Sequence, residues 1–249
     1  VLLQILRRAK CVVWFFSGRL NPMLLIALTV LPAVAIAVYF ITSDRFIEPT
    51  GTILFSLFLG LVICFPAGVL NTVLIWNQED PHSLAYLAAI TEEPLKFLMI
   101  FLFLRSRTEF DEPMDALVYG TVVSLGFAIL ENFAYVYGAD SETSSYAIAT
   151  LRAFTAVPMH ASCGVVMGYY FGRYMFSGSR RHLVMSLAVP IFFHASYNFL
   201  ASIESPFFLL LLIVLVAYCL RLHKVFIQEQ KLKAAETERK FGYSQLNSK

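Results

Sequence analysis

Charge is scarce in this sequence. Of 249 residues only 14% are Asp, Glu, Lys or Arg, 58% are hydrophobic, and the mean hydropathy is +0.69. Water-soluble domains carry about 25% charged residues and about 45–50% apolar ones, so there is too little charge to coat even one solvated surface, and a soluble globule is excluded. Cysteine is scarce as well: Cys11, Cys64, Cys163 and Cys219 are scattered through apolar stretches without a CxxC pair, which argues against a disulfide framework and for reduced packing residues. No basic patch or stripe lies inside the chain, which excludes a nucleic-acid partner, and a net charge of +2 points to no acidic one. HExxH and GxSxG are both missing. The N-terminus lacks a basic region followed by an apolar run and a small-residue cleavage site, so no removable signal peptide is expected.

What is there is long apolar runs. A bilayer-spanning helix needs about 20 mostly apolar residues, and seven segments qualify, roughly 24–42, 53–75, 84–104, 117–137, 147–172, 183–202 and 207–223. The expected fold is all-α: a polytopic transmembrane bundle of about seven spans, several of them interrupted by proline. The linkers are short, so residues 1–223 form one membrane-embedded domain, with 224–249 as a basic tail. Lys and Arg counts favour a cytoplasmic C-terminus. Arg45, Arg105, Arg107, Arg173, Arg180, Arg181 and the tail share one side, whereas the other side has only Arg7, Arg8, Lys10 and Arg19 ahead of the first span.

Charges inside the spans are the exceptions. Glu92, Glu93, Lys96, Glu131 and Arg152, with His160 and His194, fall where lipid should exclude them. At ~2.5–3.5 kcal/mol for each central charge they must face one another. Arg152, near a span end, reads as a snorkelling side chain, and Lys96 reads as the i+4 partner of Glu92. A lone buried histidine is more often a packing residue than a ligand. Depth alters that balance: because the helices alternate in direction, Glu92, Glu93, Glu131, His194 and Asn198 all fall in one layer, about 6–20 Å below the non-cytoplasmic surface at 1.5 Å per residue, with His160 somewhat deeper. Pro94, Pro158 and Pro190 interrupt the helices beside these groups. His160, Gly164, Gly168 and Gly172 share one i+4 face, a small-residue stripe that lets another helix approach closely.

Adjacent carboxylates repel in a low dielectric. With Lys96 keeping Glu92 ionised, Glu93, about 100° round the helix, is the candidate general base. Glu131, His160 and His194 make a set that suits Zn²⁺ with a fourth position for water. Without metal, the same groups could position water, with His194 and Asn198 donating to an oxyanion.

These residues carry a resemblance. Glu92-Glu93-Pro94-Leu95-Lys96 (EExxK), Glu112-Pro113-Met114-Asp115 leading to Tyr119-Gly120, Phe127 to Glu131-Asn132 (FxxxE), His160 with Gly168, and His194 to Asn198 (HxxxN) together resemble the PrsW family of intramembrane proteases, over about residues 80–200. The sequence is more distantly similar to the CAAX-prenyl and bacteriocin-processing peptidases, whose pattern places a histidine where Glu131 stands. The resemblance implies hydrolysis of a peptide bond in a membrane-anchored protein, of which anti-sigma factors are the known type, at the extracytoplasmic face of a bacterial inner membrane. It carries the catalytic role onto Glu92, Glu93, Glu131 and His160, by analogy onto His194 and Asn198, with Lys96 in support, and leaves metal and glutamate-activated water both open. A proton-coupled transporter and a CAAX-type endopeptidase stand as alternatives, since buried Glu and His also build proton relays.

Overall fold

The computed structural model describes residues 21–246, with side chains as far as 236; the basic stretch containing Arg7, Arg8, Lys10 and Arg19 lies outside the described residues. The described chain is helical: α1 (Pro22–Ser43), α2 (Thr50–Asn71), α3 (Ala88–Met99), α4 (Pro113–Tyr137), α5 (Glu142–Phe154), α6 (Ala156–Ser177), α7 (Arg180–Ser202) and α8 (Phe207–Leu246). Five segments of it are long and apolar enough to cross a membrane, namely α1, Thr50–Trp76, α4, α7 and Phe207–Glu236. Many of their large apolar side chains, such as Phe65, Val69, Phe192 and Ile213, face outward, as lipid-facing residues do. The protein is a multi-pass membrane protein.

The two expected spans that hold most of the chemistry are not plain helices. The segment at 84–104 begins with a 3₁₀ turn (Ala85–Leu87), continues as the short α3 and ends in a π turn (Ile100–Leu104). The segment at 147–172 is two helices, α5 and α6, parted at Thr155, whose backbone (φ −127°, ψ −69°) leaves the helical region. Pro158 explains the break: it occupies the first turn of α6, where a missing N–H costs no hydrogen bond. The proline starts a helix there instead of interrupting one.

α4 is the central helix and is buried along most of its length. It packs most extensively on α6 and then on α2. The α6 contact is backbone against backbone, because a methyl group on Gly164 would come within 2.5 Å of the Gly120 carbonyl and one on Gly168 would collide with that of Ala116. The small-residue stripe thus clamps α6 onto α4. This brings His160, one turn before Gly164, level with the Phe127–Glu131 turn of α4.

Candidate active site

α3 supplies three charged side chains in its middle turns, and neighbouring helices satisfy them one by one. Glu93 and Lys96 are fully buried and joined at 2.7 Å. Lys96 pairs with Glu93, three residues away, and not with Glu92, four away. Both spacings lie within reach on a helix, and Asn71 at the end of α2 decides between them by donating its amide to Glu92 Oε1 at 2.9 Å. Thr91 donates to the Asn71 carbonyl oxygen and fixes that amide's orientation.

The Lys96 ammonium, which can only donate, also lies 2.9 Å from His160 Nδ1 and 4.4 Å from the centre of the Phe127 ring. His160 Nδ1 is therefore the acceptor, which places the ring proton on Nε2, where it is donated to Glu131 Oε2 at 2.8 Å. The same Glu131 oxygen accepts from Arg152, whose Nε donates to Asn132 at 2.6 Å and whose guanidinium lies over Tyr135. Arg152 does not snorkel, being only 8% exposed. The break at Thr155 makes it the last turn of a short helix turned into the bundle, so its charge meets Glu131 and not the headgroups.

His194 of α7 completes the group. Its Nδ1 lies 2.8 Å from Glu93 Oε1, a carboxylate that only accepts, so Nδ1 carries the proton and the Nε2 lone pair is free. That lone pair faces Glu92 Oε2 at 3.9 Å. Glu92 Oε2 and Glu93 Oε2 are buried without a hydrogen-bond partner. Glu92 Oε2 and His194 Nε2 thus face each other without a donor between them. One ligand atom from each of Glu92, Glu93, His160 and His194 can be chosen so that all lie within 4.8 Å of one another.

Of the residues singled out in the sequence, Glu92, Glu93, Lys96, His160 and His194 are brought into one cluster, and Glu131 joins it through His160. Asn198 is turned elsewhere, donating to the Ala85 carbonyl at 3.2 Å and so holding the turn that precedes α3. Asn71 and the inward role of Arg152 were missed, and Asn132, though quoted with Glu131, was given no role. A polar Asn71 inside an apolar run, and an Asn directly after Glu131, were the available signals. A cavity of about 740 Å³ between α2 and α4 opens onto the cluster, lined by Asn71, Trp76, Glu92, Phe127, Glu131 and Tyr135 among others.

Comparison with known proteins shows the family. The profile described as PrsW family intramembrane metalloprotease matches residues 48–222. Protease PrsW of Bacillus subtilis (strain 168) is 36% identical over 185 residues, 72% of this chain and 83% of the relative. Protease PrsW of Geobacillus kaustophilus is 37% identical over 182 residues, 71% and 79% of the two chains. Protease PrsW of Halalkalibacterium halodurans is 32% identical over 214 residues, 84% and 96% of the two. No solved structure matches the chain. With the match spanning every helix that contributes to the buried cluster, the chain belongs to the PrsW family of intramembrane proteases and is an intramembrane peptidase.

Proposed function

We propose that the enzyme hydrolyses a peptide bond in a membrane-anchored protein, of the anti-sigma-factor type, with a water held between Glu92 Oε2 and His194 Nε2. The observation that carries this reading is the pair of acceptor atoms 3.9 Å apart, Glu92 Oε2 and His194 Nε2, beside a cavity and without a donor facing Glu92 Oε2. A water between them donates one hydrogen to each, and its lone pair is left for the scissile carbonyl. Glu92 is the general base: the water oxygen bonds to the carbonyl carbon as its proton passes to Glu92, and the proton is then delivered to the amide nitrogen as the C–N bond breaks. Glu93 is the residue that orients, holding His194 in the tautomer with Nε2 free and tying it to Lys96. Glu131 and Arg152 do the same for His160, and Asn198 seats the turn before α3.

A divalent metal fits the same place. Glu92 Oε2, Glu93 Oε2 and His194 Nε2 are donor atoms without partners, and three protein donors with one open position is the ligand count of catalytic zinc sites. Glu131 lies outside the group whose ligand atoms come within 4.8 Å of one another, and His160 fits less well because Lys96 and Glu131 already engage its two ring nitrogens. Zn²⁺ held by the first three would supply Lewis acidity and acidify water. On this reading purified enzyme carries about one zinc per chain and His194→Ala none; wild-type protein free of metal and active in chelator would remove the metal and leave the Glu92–His194 water.

The site lies at one end of the bundle, whereas Arg105, Arg107, Arg173, Arg180 and Arg181 lie in loops or helix turns at the other. By the positive-inside rule the latter end, with the distal half of α8, is cytoplasmic, and cleavage occurs near the extracytoplasmic face of a bacterial cell membrane. The test is cleavage of a membrane-anchored substrate by purified protein in proteoliposomes. Glu92→Gln should lower kcat by about 10²–10⁴-fold with KM little changed. Wild-type turnover in that variant would rule out Glu92 as the base.

A further inference from the structure

At the end of the bundle remote from this site, a second buried acidic cluster has no part in the chemistry above. Asp44 follows α1, Glu48 precedes α2, and Glu112 and Asp115 cap and begin α4; all four are 7% exposed or less. Asp115 is sixteen residues before Glu131 on α4, about 24 Å at 1.5 Å per residue. Ligand atoms of Asp44, Glu112 and Asp115 lie within 4.8 Å of one another.

Asp44 and Asp115 are each held by one oxygen and leave the other without a donor. Asp44 Oδ1 accepts from Phe46 N at 3.0 Å and from the Gln230 amide at 2.8 Å, while its Oδ2 is buried and unpartnered. Asp115 Oδ2 accepts from Asp111 N and Glu112 N at 2.8 and 2.7 Å, while its Oδ1 is buried and unpartnered. The Gln230 amide, from α8, also donates to Glu112, and the Tyr119 hydroxyl donates to Glu48. The carboxyls of Asp115 and Glu48 meet each other directly, two acceptors that need a cation or a proton between them. The Asp111 carboxylate acts on Glu48 and Glu112, and the Lys233 ammonium acts on Glu112.

We propose that Asp44, Glu112 and Asp115, with Glu48 beside them, bind a hard divalent cation, Ca²⁺ or Mg²⁺, that fastens α8 to α1 and α4. All the donors are oxygen and none is sulfur or imidazole, which selects calcium or magnesium over zinc. The ligands come from two segments 68 residues apart in sequence (Asp44 to Glu112) and are bridged by Gln230 from a third. Occupancy therefore locks the membrane-distal half of α8 to the bundle. This site and its test stand apart from the catalytic reading.

The experiment is a thermal unfolding titration of the full chain in detergent after chelation, with CaCl₂ or MgCl₂ added, alongside equilibrium binding of ⁴⁵Ca²⁺. Binding to the native state alone should raise Tm by about 5–10 °C at a hundredfold excess over Kd, saturably and with one ion per chain. The rise should persist in Glu92→Gln and be lost in Asp115→Asn and in Asp44→Asn, the second variant guarding against a folding defect in the first. No saturable shift or binding, which would mean that shared protons close the cluster, overturns the proposal, as does a shift that survives both substitutions.

Discussion

Glu93 spends one carboxylate oxygen on Lys96 and His194, and its neighbour Glu92 is held by Asn71 alone and turns a free oxygen toward the cavity. Substituting the two should therefore fail in different ways. Glu93→Gln strands the Lys96 charge in a fully buried site, and breaking one partner of a buried pair costs about 3–5 kcal/mol; thermal unfolding in detergent should show the loss, with part of it restored in Glu93→Gln/Lys96→Met. Glu92→Gln should unfold near the wild-type temperature. Arg152 is the corresponding anchor for Glu131 and Asn132, and a lysine cannot span both acceptors as the guanidinium fork does. Arg152→Lys should cost about 10–100-fold in kcat, while KM stays within twofold as about the limit of change if the residue only orients His160. Rescue of the wild-type rate by lysine would show that only its charge matters.

Among the elements, α4 and α6 set the geometry. Gly168 sits against the Ala116 backbone with no room for a side chain, so Gly168→Val should destabilise the protein by about 1–3 kcal/mol and lower cleavage by moving His160 away from Glu131. A variant with wild-type unfolding and activity would contradict the clamp. This stripe was readable from the sequence, since its i+4 spacing is itself the device, as was the common depth of Glu92, Glu93, Glu131 and His194, whereas His160 reads as somewhat deeper and Asn198, read into the same layer, bonds the Ala85 carbonyl instead. The parting of α5 from α6 was not. Nothing at Thr155 signals it, and Pro158 reads equally as a break within a helix or as the first turn of one. The partner of Lys96 was hidden for a related reason: carboxylates stand both three and four residues before it, and the choice belongs to Asn71, a residue of another helix. Local periodicity predicts which face a side chain occupies; competition between helices decides whom it meets.

At the scale of the whole molecule, a central helix carries acid groups at both ends, with the chemistry near Glu131 and the proposed cation site near Asp115. Between α2 and α4 the cavity leads from the lipid-facing surface, where Phe65 and Val69 are exposed, to Glu92 and Glu131. A membrane-anchored substrate approaching by this path should be captured by a photocrosslinking residue at Val69 or Phe65 and not at Ile213 on α8, which is equally exposed to lipid. Equal capture at both positions would argue against that path. The central claim is narrower: water is activated between Glu92 and His194. It is tested most directly by the turnover of purified Glu92→Gln protein on a membrane-anchored substrate. A loss of at least about a hundredfold in kcat, with unfolding temperature and KM unchanged, is the expected result; turnover at the wild-type rate would contradict it.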